Sequence, residues 1–215
     1  MSNGIHKLEA QGLTTLAPCV SEGSADILRN FAFGHLRSAR TLAKMLSEHE
    51  LRHVGEELGL QFDLCHTLAS SAIIIACAAM DAALYEAHLA NNTPRSVMEP
   101  LERASFFAGV GAVYGLKGLE PPTNDTEPWE SGKLLRAMRN ALVHGKAEWA
   151  SDDGSHAKLS RRITTAKLPM SPFVPIHGPA FPLGCMSAGV AEWAAETAGA
   201  VIRQMSSDLE IPLWE

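Results

Sequence analysis

The sequence predicts an all-α protein: a helical bundle of about five helices, with an irregular or short β-like insertion before the last one. Three observations carry this expectation. Long segments repeat apolar residues at helical spacing. Glycine and proline gather between those segments rather than inside them. The 215 residues are 46% hydrophobic and 20% charged, the balance of one globular unit large enough to bury a core.

Taken in order, residues 1–23 show no period and read as a loosely attached N-terminal arm, leaving residues 24–215 as a single domain. Ser24 and Asp26 suit a helix start, and ADILRNFAFGHLRSARTLAKMLSEH follows with apolar residues on one face. A second helix is expected from about Phe62 to Leu89. Its middle is apolar all round, which marks the most buried helix, and NNTP ends it. A third should begin near Glu99 and run through FFAGVGAVYG. After a loop with three prolines, a fourth is expected over Glu127 to Val143, with Pro128 in its first turn and Gly145 as its stop signal. Between Ala150 and Gly184, HAKLSRRITTAKLPM mixes basic and β-branched residues and suggests one or two short strands. PMSPFVPIHGPAFPLG is too rich in proline for helix or central strand. Ser187 then opens a last amphipathic helix to about Leu209.

Composition narrows the classes. Four cysteines at 19, 65, 77 and 185 form no CxxC pair, so free thiols and a cytoplasmic setting are expected, without a zinc ribbon or redox motif. The N-terminal stretch has no sustained apolar core of the signal-peptide kind. The longest apolar run, Leu68 to Met80, is too short to span a bilayer, so no membrane partner is expected. Net charge is −6, but unevenly spread. Between Lys133 and Lys167 eight basic residues face three acids, a net +5 that leaves −11 on the rest. A basic sector on an acidic body steers a phosphate-bearing partner to one face.

Several motifs weigh little. His49-Glu50-Leu51-Arg52-His53 spells HExxH, with Glu56 or Asp81 as a conceivable third ligand. Against zinc stand the fixed cation of Arg52, the polarity of SEHELRHVGEE and the helix break expected at Gly55. A solvated, charged helix end is the better reading, and no metal or cofactor is expected. GVGAVYG lacks the GxGxxG pattern and a preceding strand, so its glycines are expected to serve close helix packing. Cys65 and His66 are adjacent on a helix and do not face each other.

LLRAMRNALVHGKAEW, Leu134 to Trp149, is different. Asn140 and His144 are four apart and so share a helix face. Arg139 is adjacent and long enough to swing towards the same patch. His144 lies in the last turn, where the helix dipole favours imidazolium. One spot therefore offers a fork-shaped cation, an amide and an acid/base group. Arginine can hold two phosphate oxygens, asparagine can orient, and histidine can move a proton near neutral pH. RNA supplies its own nucleophile in the 2′-hydroxyl, so such a site needs no metal to cut it. Spacing alone also allows a plain helix cap, with His144 on terminal carbonyls and Arg139 on the surface.

RNALVHG resembles the RxxxxH signature of the HEPN superfamily, in the form with Asn directly after the Arg. The likeness extends over roughly residues 25 to 145: a late helix ending in the motif, a variable loop before it, and an earlier apolar helix, SAIIIACAAMDAALYEAHL, with acids towards its end. The resemblance implies a helical bundle that forms a homodimer, the motif helices facing across a two-fold axis. It implies a metal-independent endoribonuclease of toxin–antitoxin or defence type, with an antitoxin or other protein as partner. Arg139 and His144 would be catalytic and Asn140 their polar support. Asp81 or Glu86 would hold Arg139, and Lys133, Arg136 and Lys146 would bind RNA. Other members bind RNA, nucleotide or protein without turnover, which is the alternative expectation.

Overall fold

The computed structural model describes residues 31–57, 59–101, 103–123, 125–145, 153–175 and 178–211. These residues form seven α-helices: α1 (Phe31–Arg52), α2 (Leu60–Ala90), α3 (Arg95–Leu101), α4 (Phe106–Leu116), α5 (Trp129–His144), α6 (Ser155–Thr165) and α7 (Ala188–Leu209). A wide π-type turn at Ala180–Gly184 precedes α7, and the described residues include no strand. The expected arm at 1–23 and the start residues Ser24 and Asp26 lie outside the described residues.

The bundle is built on α1, α2 and α7. On α1 the buried residues are Ala32, Leu36, Ala39, Ala43 and Leu46, alternating steps of four and three along one stripe. α2 meets them with Ala69, Ala72, Ala76 and Ala79, and α7 with Ala191, Ala194, Ala195 and Ala198, all at most 1% exposed. Small side chains let the helix axes approach, and Ile73, Met80, Val190 and Val201 fill what remains. Gly132 plays the same part on α5, where a Cβ would press on Val201 at 3.1 Å. α2 is 31 residues long with a mean hydropathy of 1.8 over its most apolar 18-residue window, long and apolar enough by length and composition to cross a membrane. The apolar run Leu68 to Met80 lies within it, and the mostly buried core helix of a bundle passes the same test. Half of that window is buried against the rest of the bundle.

Side chains tie the helix ends together. Glu86 of α2 accepts from the Phe31 and Ala32 N–H groups at 2.9 and 3.2 Å, and Glu50 of α1 accepts from the Ala188 N–H at 2.9 Å. Each carboxylate so occupies the first turn of another helix, where free N–H groups and the dipole favour an anion. Ser187 caps α7 by accepting from the Val190 N–H, while its hydroxyl donates to the Pro169 carbonyl at 2.7 Å. Tyr114 of α4 donates to Asp208 of α7 at 2.6 Å.

Three expectations are corrected. The single third helix is two, because the chain turns after Leu101 and Ser105, in an extended conformation, caps a new helix at the Ala108 N–H. The strands suggested for 150–184 are a helix, α6. Leu159 and Ile163, four apart, are its buried stripe, and that packing outweighs the strand preference of Ile-Thr-Thr. Gly145 ends α5, but with φ −57 and ψ 135 and not in the left-handed conformation expected of a stop glycine. Glycine is required there because a Cβ would strike the Ala141 carbonyl oxygen and approach His156 Nε2 at 3.3 Å.

Candidate functional site

α5 carries the motif residues and α6 completes the surface around them. Trp129, Leu134, Leu135 and Met138 root α5 in the core, which turns Asn140 and His144 outwards at its end. The close approach at Gly145 brings α6 alongside. Between the two helices lies a groove of about 480 Å³, lined among others by Asn140, His144, His156, Lys158 and Arg162. His144, Lys158 and Arg162 are exposed. His156 packs edge-on against Phe181, ring centroids 5.1 Å apart, and Phe181 N–H donates to Ser160 at 3.0 Å. The π-type turn thus holds α6 from behind. A groove with two fixed cations, an amide and an accessible imidazole can grip phosphate oxygens and exchange a proton with the group it holds.

Arg139 is half-buried on the neighbouring face. Its Nη1 donates to Asn140 Oδ1 at 2.9 Å, so it joins the groove through Asn140 and does not line it. The expected supporting acids serve elsewhere. Asp81 pairs with Arg136, Nη1 to Oδ1 at 2.7 Å, and the Arg136 guanidinium lies over the Phe106 ring at 4.8 Å. Glu86 caps α1 at the Phe31 and Ala32 N–H groups. Neither holds Arg139 within the described chain, because the seven-residue step from Asp81 to His88 on α2 faces α4 and the Arg136 side of α5. Of the expected RNA-binding cations, Lys133 is exposed on α5, Arg136 is committed to Asp81 and Phe106, and Lys146 lies outside the described residues. Lys158 and Arg162 take the place beside His144 that the sequence reading gave to Lys133 and Arg136.

The other motifs resolve into architecture. The HExxH end of α1 is exposed at Glu48, Leu51 and Arg52, but His49 turns inwards: it is 6% exposed and its Nε2 meets the Gln61 carbonyl at 2.9 Å. His53 stacks near it, centroids 4.5 Å apart, and pairs with Glu56 at 2.9 Å. Glu50 is spent on α7, and burial raises its carboxyl above the ordinary range despite that hydrogen bond. Among the described residues no three His, Cys, Asp or Glu side chains gather as a metal-holding group. α1 stops at Arg52 and Gly55 turns the chain at φ +87, as expected. In GVGAVYG, Gly109 fits the packing reading, since a Cβ would meet Leu84 at 2.7 Å, while Gly111 and Gly115 face open space. Cys65 is fully buried and its thiol is pushed up to about 11 by burial first and by Glu50 second.

His156 was not singled out from the sequence, because a segment read as strand gives no reason to set it opposite His144. The periodic pair Leu159 and Ile163, with His156 and Ser160 on adjoining faces, was the signal that could have found it. No family model, curated protein or solved structure matches the chain.

Proposed function

We propose that the protein is a HEPN-like, metal-independent endoribonuclease that works as a homodimer, as a toxin or defence component in the cytoplasm. The observation that carries this reading is the groove in which Asn140 and His144 of α5 face Lys158 and Arg162 of α6. The resemblance of RNALVHG to the RNxxxH motif and the net +5 of residues 133–167 support it. In this chemistry the 2′-oxygen attacks the adjacent phosphorus while His144 takes its proton. The bond from phosphorus to the 5′-oxygen breaks, leaving a 2′,3′-cyclic phosphate and a 5′-hydroxyl that gains a proton. Lys158, Arg162 and Arg139 offset the charge that builds on the phosphoryl oxygens. A two-fold partner would set a second copy of these groups beside the first.

A second reading is a HEPN-like module that binds RNA, nucleotide or another protein, such as an antitoxin, without turnover. It is favoured by the tether of Arg139 to Asn140, which keeps that guanidinium at the rim. Incubation of the full chain with single-stranded and structured RNAs in EDTA separates the two. Cleavage giving cyclic phosphate ends, reduced about 100-fold or more by His144→Ala, is the expected result. RNA that is bound but left whole by well-folded protein would establish the second reading instead.

A further inference from the structure

A second pocket, of about 250 Å³, lies beside Arg136 of α5, between α2, α3 and α4. Its walls include Met98 and Phe106, and its polar groups are Asp81, Tyr85, His88 and Arg136. Asp81, Tyr85 and His88 fall on one face of α2, steps of four and three apart. Two turns, about 10 Å, separate Asp81 from His88 along the axis, enough for a flat bicyclic ring.

Asp81 and Arg136 keep bonding capacity. Arg136 gives one guanidinium nitrogen to Asp81 and holds its plane over Phe106, which leaves further N–H donors. Among the described residues, the second carboxylate oxygen of Asp81 accepts no hydrogen bond. His88 is 4% exposed, and its Nδ1 meets the Thr93 hydroxyl at 3.1 Å. Its Nε2 is occluded beside the Gly109 carbonyl, so His88 forms a wall of the pocket and the free bonding capacity lies with Asp81 and Arg136. Tyr85, half exposed at the mouth, offers a ring face.

We propose that this pocket binds a guanine ring, either in a free nucleotide or as an unstacked base of single-stranded RNA. Guanine sets two neighbouring N–H groups, on N1 and the exocyclic amine, beside a carbonyl oxygen. The carboxylate of Asp81 matches the first and the guanidinium of Arg136 the second. Adenine lacks the carbonyl, and cytosine and uracil offer one donor group on that edge. The site stands independently of the cleavage reading. The two would nonetheless serve one strand, because Arg136 and Asn140 are one helical turn apart on α5, about 6 Å.

Titration calorimetry of the full chain with GMP, AMP, CMP and UMP tests the proposal. GMP should bind about tenfold or more tightly than the other three. Asp81→Asn should reduce GMP affinity about tenfold, while Arg203→Ala, remote on α7, should leave it unchanged. If Asp81→Asn melts below the assay temperature, Tyr85→Ala takes its place and should also weaken GMP. Equal affinity for all four nucleotides, no binding at millimolar GMP and no guanosine-dependent binding of a short RNA, or indifference to both variants would overturn the site. For the strand, replacing one guanosine by inosine, which lacks the exocyclic amine, should weaken binding, and GMP should compete. Inosine sensitivity with no GMP binding assigns the pocket to RNA alone. His144→Ala should spare GMP binding, so GMP bound by a chain that never cuts RNA would sink the nuclease reading and keep this one.

Discussion

Glu50 shows how one side chain can read as chemistry and serve as architecture. Its carboxylate sits at the N-terminus of α7, bound to the Ala188 N–H, and burial raises its pKa above the ordinary value near 4.5. A raised carboxyl adds stability below that ordinary value and loses it as pH rises through the shifted one. At pH 7 the ion is therefore present at some cost, while the hydrogen bond it accepts is worth about 1 kcal/mol as a cap. Glu50→Gln keeps an acceptor and removes the charge, so its melting temperature at pH 7 should equal or exceed that of the parent. Glu50→Ala loses the acceptor and should be less stable by about 1 kcal/mol. The advantage of the glutamine should shrink as pH falls towards 4.5, and thermal melts from pH 8 to pH 4.5 would check the crossing. A glutamine variant that is the weaker one at pH 7 would mean the charge itself is what α7 needs. Gly145 makes a parallel point, since its role is to let the Ala141 carbonyl and His156 come close, not to supply a left-handed turn.

At the scale of elements, the groove depends on α6 staying on α5. That helix is short and carries four cationic or imidazole side chains in His156, Lys158, Arg161 and Arg162, and Asp153, just before it, pairs with Arg161 at 2.6 Å. An isolated helix of 11 residues is marginal in water, so α6 owes its place to Leu159, Ile163 and the Phe181 turn. Ile163 is fully buried, and Ile163→Ala should cost roughly 2–5 kcal/mol. The loss should be local first: amide exchange should quicken across residues 155–165 before it quickens in α2. RNA affinity should fall with it, by more than it does for Lys133→Ala, which lies two turns of α5 before Asn140. Exchange that rises uniformly through the chain would show that α6 is part of the cooperative core.

Across the whole molecule, burial of three thiols reports on how closed the bundle is. Cys65, Cys77 and Cys185 are all at most 1% exposed, and burial pushes them up to about 11, 12 and 12. At pH 8 a thiol of pKa near 11 is ionised in about one molecule in a thousand, and the thiolate is the reactive form. An aromatic disulfide reagent should therefore modify none of the three in native protein within minutes, and all of them after unfolding in guanidinium chloride. Rapid modification of any one before unfolding would place an opening in the packing of α2 or at the start of α7. The acidic body and basic sector add a second property of the whole chain, since any RNA it binds through the α5–α6 face should be released as salt rises.

The helices α1, α2, α5 and α7, the buried character of α2, the break at Gly55 and the opening of α7 at Ser187 were all legible in the residues, because each rests on local signals: apolar spacing, caps and glycine. So was the outward pairing of Asn140 with His144, a property of any helix at a step of four. What the sequence could not decide depended on who packs against whom. Ile-Thr-Thr is helical because Ile163 meets the core, and no local rule weighs that contact. Arg136 and Arg139 are alike in sequence, yet one is spent on Asp81 and Phe106 while the other reaches Asn140. Sequence by itself determined an all-α bundle with a polar helix end at His144. The tertiary structure alone set Lys158 and Arg162 across from it and left His88 beside a cavity, since both come from packing between helices and not from spacing within one.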